Sequence, residues 1–164
     1  MTSHRPFCTC WPGATLWLTG APGAGKTTVM TGLARRLEAA GRRVHVLDGD
    51  EQHTLFGTDL APGRVRRAAD VQRVGLVAEV LARNGVLALV AVTAADATQT
   101  DAVRRRHTRS ATTCLEVHVA TGSDRADDPY AAPARCDLTL PAYRQSAEES
   151  VTELMNLLKR RELA

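Results

Sequence analysis

The sequence predicts a three-layer α/β domain, doubly wound about a parallel sheet of about five strands. Three observations predict it. Short apolar runs at 16–18, 44–47, 86–92, 113–119 and 137–140 alternate with segments of helical spacing. The run at 86–92 is continuously apolar, as a strand covered on both faces requires. The 164 residues, 44% hydrophobic and 24% charged, suffice for one ordinary core, and no apolar stretch is long enough for a membrane helix.

Residues 1–13 carry Pro6, Pro12 and Gly13 without periodicity, so a flexible tail is expected before a single domain over 14–164. The tail lacks the apolar centre of a signal peptide. The strand at 16–18 runs into a glycine-rich turn. Val29, Met30, Leu33 and Leu37 give helical spacing to 27–40, and Gly41 ends that helix. The strand at 44–47 ends in Asp48-Gly49-Asp50. Past a loop marked by Gly57, Pro62 and Gly63, the residues Val74, Val77 and Leu81 mark a helix over 64–83, stopped by Asn84-Gly85. After the strand at 86–92 comes a helix over 98–108, for which Thr98 and Asp101 are the expected caps. The strands at 113–119 and 137–140 complete the sheet. Ser146 and Glu149 form a capping box ahead of the stripe Val151, Leu154, Met155 and Leu158 of a last helix.

The formal charge of +3 is too small to direct binding to nucleic acid, and neither a nucleic-acid nor a membrane partner is expected. Only two of the 21 basic residues are lysines, Lys26 and Lys159, so a lysine here is a residue to account for. Cys8, Cys10, Cys114 and Cys136 have no zinc-site spacing, which points to reduced thiols and a cytoplasmic setting.

Gly20-Ala21-Pro22-Gly23-Ala24-Gly25-Lys26-Thr27 completes the G-x-x-x-x-G-K-[ST] pattern, after a strand and before a helix. The glycines let backbone N–H groups curl around phosphate oxygens, and the helix start points its positive end at the same anion. Lys26 supplies a cation for the β- and γ-phosphates, and the Thr27 hydroxyl reaches Mg²⁺. A plain glycine turn would need neither. The motif makes the fold a P-loop NTPase or kinase type. It predicts ATP and Mg²⁺ as ligands, held by Gly20, Gly23, Ala24, Gly25, Lys26, Thr27 and Thr28.

Loops after parallel strands gather at one edge of the sheet, so Asp48 and Asp50 are expected to face the phosphate loop. An acid there holds Mg²⁺ or takes a proton from an attacking hydroxyl, which makes Lys26, Asp48 and Asp50 the catalytic candidates and Thr27 with Asp48 the metal candidates. Arg64, Arg66, Arg67 and Arg73 form either a solvated basic face or a grip on a small anionic acceptor; the residues alone leave both open. His53 and Phe56 lie in the intervening loop and are candidates for lining the same pocket.

These segments resemble the adenylylsulfate kinase (APS kinase) family. The likeness is carried by Thr15-Leu16-Trp17-Leu18-Thr19-Gly20, by Gly41-Arg42-Arg43-Val44-His45-Val46-Leu47-Asp48-Gly49-Asp50, and by Arg73-Val74-Gly75. It continues in Asp128-Pro129-Tyr130 with Pro133, and in Ser146-Ala147-Glu148-Glu149-Ser150-Val151. It covers nearly the whole chain after Gly13. The resemblance implies transfer of the ATP γ-phosphate to the 3′-hydroxyl of adenylylsulfate. It implies that Asp48 is the catalytic or metal-associated acid and that Arg67 and Arg73 hold the acceptor. Thr93 takes the place of a serine of the family, and Asp70 that of an acceptor-binding asparagine. Asp50 and His53 fall on the same acceptor side, and a homodimer is compatible with the likeness.

The chain departs from the family pattern in places. Glu51 and His53 replace an asparagine and an arginine, and Ala94-Ala95-Asp96 replaces Pro-Tyr-Arg. The family's long basic lid after the fourth strand is reduced to 120–127, with Arg125 as its single cation. The nucleotide half of the pattern is intact and the acceptor half altered. Two alternatives therefore stay open: a kinase of a different small hydroxyl metabolite, and a nucleotide-binding protein of low turnover.

Overall fold

The computed structural model describes residues 11–48, 52, 64–93, 97–123 and 131–164, with the backbone alone for 64–67. Its sheet has five strands: β1 (Ala14–Thr19), β2 (Val44–Leu47), β3 (Leu87–Val92), β4 (Thr113–Ala120) and β5 (Leu138–Pro141). They lie in the order β2-β3-β1-β4-β5, and every neighbouring pair is parallel. The helices among the described residues are α1 (Lys26–Ala39), α2 (Arg64–Arg83), α3 (Ala97–Arg109) and α4 (Ala147–Arg160).

Period-two alternation in β1 divides the core between the two faces of the sheet. Leu16 and Leu18 pack with Met30, Leu33 and Leu37 of α1 and with Val151, Leu154 and Leu158 of α4. Trp17, fully buried, packs on the other face with Val71, Val74 and Ala78 of α2 and Val103 of α3. Helices thus cover both faces, and the expected three-layer, doubly wound architecture is the one found. Gly75 lets α2 and α3 approach, since a Cβ there would lie 2.6 Å from a methyl of Val103.

The strand β1 is longer than its apolar run because Thr15 and Thr19 are buried with partners. The Thr15 hydroxyl lies 2.8 Å from Nε2 of His107, and the Thr19 hydroxyl 3.3 Å from Nδ1 of His118. A buried hydroxyl with a partner costs little, so the strand extends through residues that a hydrophobicity pattern skips. Helix α3 begins at Ala97, which places Thr98 and Asp101 inside the helix and corrects their expected role as caps. The capping box before α4 is formed as expected. The Glu149 amide donates to Ser146 Oγ at 3.2 Å, and the Ser146 amide donates to Glu149 Oε2 at 2.6 Å. That bond holds the Glu149 carboxyl below its ordinary range. Along α4, Leu157 is buried and Met155 only partly so, which shifts the apolar stripe from the expected set.

The segment expected to be a loose tail as far as Gly13 is fastened from Trp11 onward. The Arg42 guanidinium sits 4.9 Å from the Trp11 ring centroid and donates to the Pro12 carbonyl at 2.9 Å. A Cβ on Gly13 would meet the Ala82 carbonyl oxygen at 2.1 Å, so only glycine lets the chain pass the end of α2. Across the sheet, Arg104 of α3 bonds Glu116 of β4 at 2.9 Å and Asp137 at 3.3 Å, and Arg161 holds the other Asp137 oxygen at 3.1 Å. Burial still outweighs Arg104 and keeps the Glu116 carboxyl above its ordinary range. No helix among the described residues is long and apolar enough to cross a membrane.

Candidate active site

The turn from Gly20 to Lys26 joins the carboxyl end of β1 to the start of α1, between strands β3 and β4. Three of its glycines have positive φ: 141° at Gly20, 76° at Gly23 and 92° at Gly25. Gly20 is also sterically required, since a Cβ there would meet the Val119 carbonyl oxygen at 2.6 Å. Around Gly23 and Gly25 nothing lies within 4 Å of an added Cβ, so conformation rather than crowding selects glycine there. No side chain caps the N-terminus of α1, and its first turn holds no acid. The leading amides and the positive end of the helix dipole are left to an incoming anion.

Lys26 is 7% exposed, and its ammonium donates to the carbonyls of Gly20 and Ala21, both at 2.7 Å. Burial lowers its pKa. Neighbouring phosphates would favour the charged form and oppose that shift. Thr27 and Thr28 come next with exposed side chains, and Ala24 is buried beneath the loop.

Beside the loop lies a cleft of about 640 Å³. Gly23, Gly25, Lys26, Thr27 and Thr28 line one side, Asp70 of α2 and Thr93 after β3 the other, and Val71, Val74 and Val92 supply apolar surface. Of the expected nucleotide residues, Gly23, Gly25, Lys26, Thr27 and Thr28 are therefore brought together with the acceptor candidates Asp70 and Thr93, while Gly20 and Ala24 lie outside the cleft lining. Arg73 sits one turn along α2 with Nη1 3.5 Å from Asp70 Oδ1, so the two charges face each other at the cleft margin. Asp48 comes directly after β2 at the same edge of the sheet, two strands from β1, or about 10 Å at ordinary strand spacing. It does not line the cleft directly. Asp50 and His53 lie outside the described residues, as do Glu51, Phe56, Arg125 and the side chain of Arg67.

Gln52 lines the cleft and carried no sequence signal: no spacing or composition rule singles out that glutamine. A second cleft, about 590 Å³, opens between α1 and the start of α4. It shares Thr27 and Thr28 with the first and adds Thr31, Arg35, Arg36 and Glu148.

Among the described residues no cluster of three or more His, Cys, Asp or Glu side chains could hold a metal by itself. The Thr27 hydroxyl and the Asp48 carboxylate are hard oxygen donors of the kind Mg²⁺ takes. That ion commonly uses one or two protein oxygens when phosphates supply others, so this donor set fits a metal that arrives with a nucleotide.

Comparison with known proteins agrees with this geometry. A family profile described as adenylylsulphate kinase matches residues 12–128. A Pseudomonas aeruginosa protein named as a probable adenylyl-sulfate kinase is 34% identical over 163 residues, spanning 88% of this chain and 76% of its own. The structure of the Mycobacterium tuberculosis APS kinase CysC in complex with AMPPNP and APS superposes with a TM-score of 0.80 at 29% identity, covering 90% of this chain and 98% of that one. A hexameric APS kinase from Thiobacillus denitrificans gives a TM-score of 0.82 at 30% identity, covering 93% of this chain and 30% of that longer one.

Proposed function

This chain belongs to the adenylylsulphate kinase family and is a P-loop kinase, and on that premise we propose that it transfers the γ-phosphoryl group of Mg·ATP to the 3′-hydroxyl of adenylylsulfate. The observation that carries the reading is the complete phosphate loop opening onto a cleft whose other side is lined by Asp70 and Thr93. The Mycobacterium tuberculosis relative, similar over nearly its full length, has been seen in complex with AMPPNP and APS together.

The proposed roles draw on the geometry of the loop and the sheet edge and, for residues outside the described ones, on the family likeness. The amides at the start of α1 and the backbone of Gly23, Ala24 and Gly25 hold the phosphate oxygens. The Lys26 ammonium leaves the carbonyls of Gly20 and Ala21 for the transferring group and meets negative charge as it develops. Thr27 and Asp48 would hold Mg²⁺, which would offset the negative charge of the phosphate groups. Asp48 orients the attacking hydroxyl, a role for which the sequence also offers Asp50. Thr93, Asp70 and Arg73 make up the acceptor side, to which the family likeness would add Arg67 and His53, and Arg73 exchanges Asp70 for an anionic group of the acceptor. The unbridged thiols of Cys114 and Cys136 suit a cytoplasmic setting, and a homodimer is the assembly to look for by sedimentation.

The direct experiment mixes the protein with Mg·ATP and monitors ADP release with and without adenylylsulfate. ADP release that rises steeply with adenylylsulfate is the expected result. A rate no higher with it than without it overturns the assignment of the acceptor.

A further inference from the structure

Gln52 makes an unusual set of side-chain bonds. Its Nε2 donates to the Leu47 carbonyl at 2.9 Å and to the Ala91 carbonyl at 2.8 Å. Leu47 is the last residue of β2, and Ala91 is next to last in β3. The ladder between these strands ends at the pair Leu47 and Val90, so the glutamine takes over just where main-chain pairing stops. Its own amide donates to the Asp48 carbonyl, four residues back, at 2.9 Å. Both side-chain partners are carbonyl oxygens, and only the NH₂ end of a carboxamide can donate to them. The orientation of the amide is therefore fixed by chemistry, and both its hydrogens are committed.

The tied strand ends carry the acceptor side. Asp48 comes immediately after Leu47, and Thr93 lies two residues beyond Ala91 in the same cleft as Gln52. The phosphate loop takes its position from β1 and α1, neither of which Gln52 bonds. We propose that Gln52 is a positioning residue for the acceptor half of the site: its carboxamide nitrogen staples the ends of β2 and β3 and so sets where Asp48 and Thr93 stand relative to the phosphate loop. The kinetic part of this inference rests on the phosphotransfer reading above; the staple itself does not.

Two variants test it. Gln52→Leu keeps similar bulk and removes the donors. Gln52→Glu keeps the shape but, when ionised, is acceptor-only and turns oxygen toward two carbonyls. Hydrogen exchange by mass spectrometry is read on peptides covering the ends of β2 and β3 and on peptides covering β1 and the phosphate loop. Steady-state kinetics with Mg·ATP and adenylylsulfate are run alongside. Both variants are expected to exchange faster at the β2 and β3 ends, with β1 and the loop unchanged. The KM for adenylylsulfate should rise about tenfold, equivalent to about 1.4 kcal/mol, while the KM for ATP stays within about twofold, as loss of bonds confined to one half of a site requires. Unchanged exchange at the strand ends overturns the proposal. So does faster exchange throughout the protein, or a KM for ATP that rises with that for adenylylsulfate, since both describe general loosening. If the unaltered protein does not turn over adenylylsulfate, the functional reading falls and the exchange data still decide the role of Gln52.

Discussion

Lys26 is the residue on which the proposed chemistry of the phosphate loop depends most. Its ammonium is buried, bonded to carbonyls of its own loop, and discouraged from holding its proton by burial. Each of these favours taking a phosphate oxygen as a partner once nucleotide arrives. Replacing Lys26 with alanine is expected to lower kcat by about a hundredfold or more, the scale of losing one preorganised charge at a transition state. The far-ultraviolet circular dichroism should not change, and an alanine variant of normal turnover would show that the charge is not used. The pH dependence has a definite sign. Because burial lowers the Lys26 pKa, loss of its proton at alkaline pH is expected to silence the unliganded enzyme below the range of an ordinary lysine, seen as an early fall in kcat/KM. Lys26 was legible because the motif fixes its identity, spacing and context together. Gln52 was not, because its role depends on two carbonyls in separate strands, one of them 39 residues away.

At the scale of elements, the most local devices were the most readable. The capping box at Ser146 is complete in four residues, and both of its hydrogen bonds are present. Replacing Ser146 with alanine removes one of them and is expected to lower the thermal midpoint by a few degrees, measured by calorimetry. A midpoint that does not move would mean that the start of α4 is held by packing alone. The pair Thr98 and Asp101 looks alike in sequence, yet helix α3 starts at Ala97 and passes over it. A cap motif reports a boundary only where the chain outside it turns away, and the path of the chain as it leaves the preceding strand decides whether it does. Strand ends were misplaced for a related reason. Thr15 and Thr19 break the apolar run of β1 but are satisfied by His107 and His118 from distant elements, which no local pattern reveals.

At the scale of the whole molecule, one parallel sheet carries both halves of the site along its carboxyl edge. The phosphate loop extends from central β1, and the acceptor candidates extend from β3 and β2 on one side of it. The sequence alternation predicts this arrangement, because parallel strands with crossing helices have few other ways to bury two apolar faces. The core also stores a pH dependence. His107 is 1% exposed, and its ring bonds the Thr15 hydroxyl and the Val103 carbonyl at 2.9 Å from Nδ1. Burial lowers its pKa, so the folded protein binds this proton less readily than the unfolded chain. The stability it contributes is fully present above the unfolded histidine value near 6.5 and is lost as pH falls below it toward the lowered folded value. The thermal midpoint should therefore drop between about pH 7 and about pH 5, and the drop should shrink in His107→Gln. An equal drop in both proteins would place the titrating group elsewhere.

The measurement that bears most directly on function tracks the phosphorus atom itself. The protein is incubated with Mg²⁺, adenylylsulfate and ATP labelled in the γ-phosphate, and the products are separated. Label on the 3′-oxygen of adenylylsulfate, abolished in Lys26→Ala, is the expected result. Label found only in inorganic phosphate, or left in ATP, would contradict transfer to this acceptor.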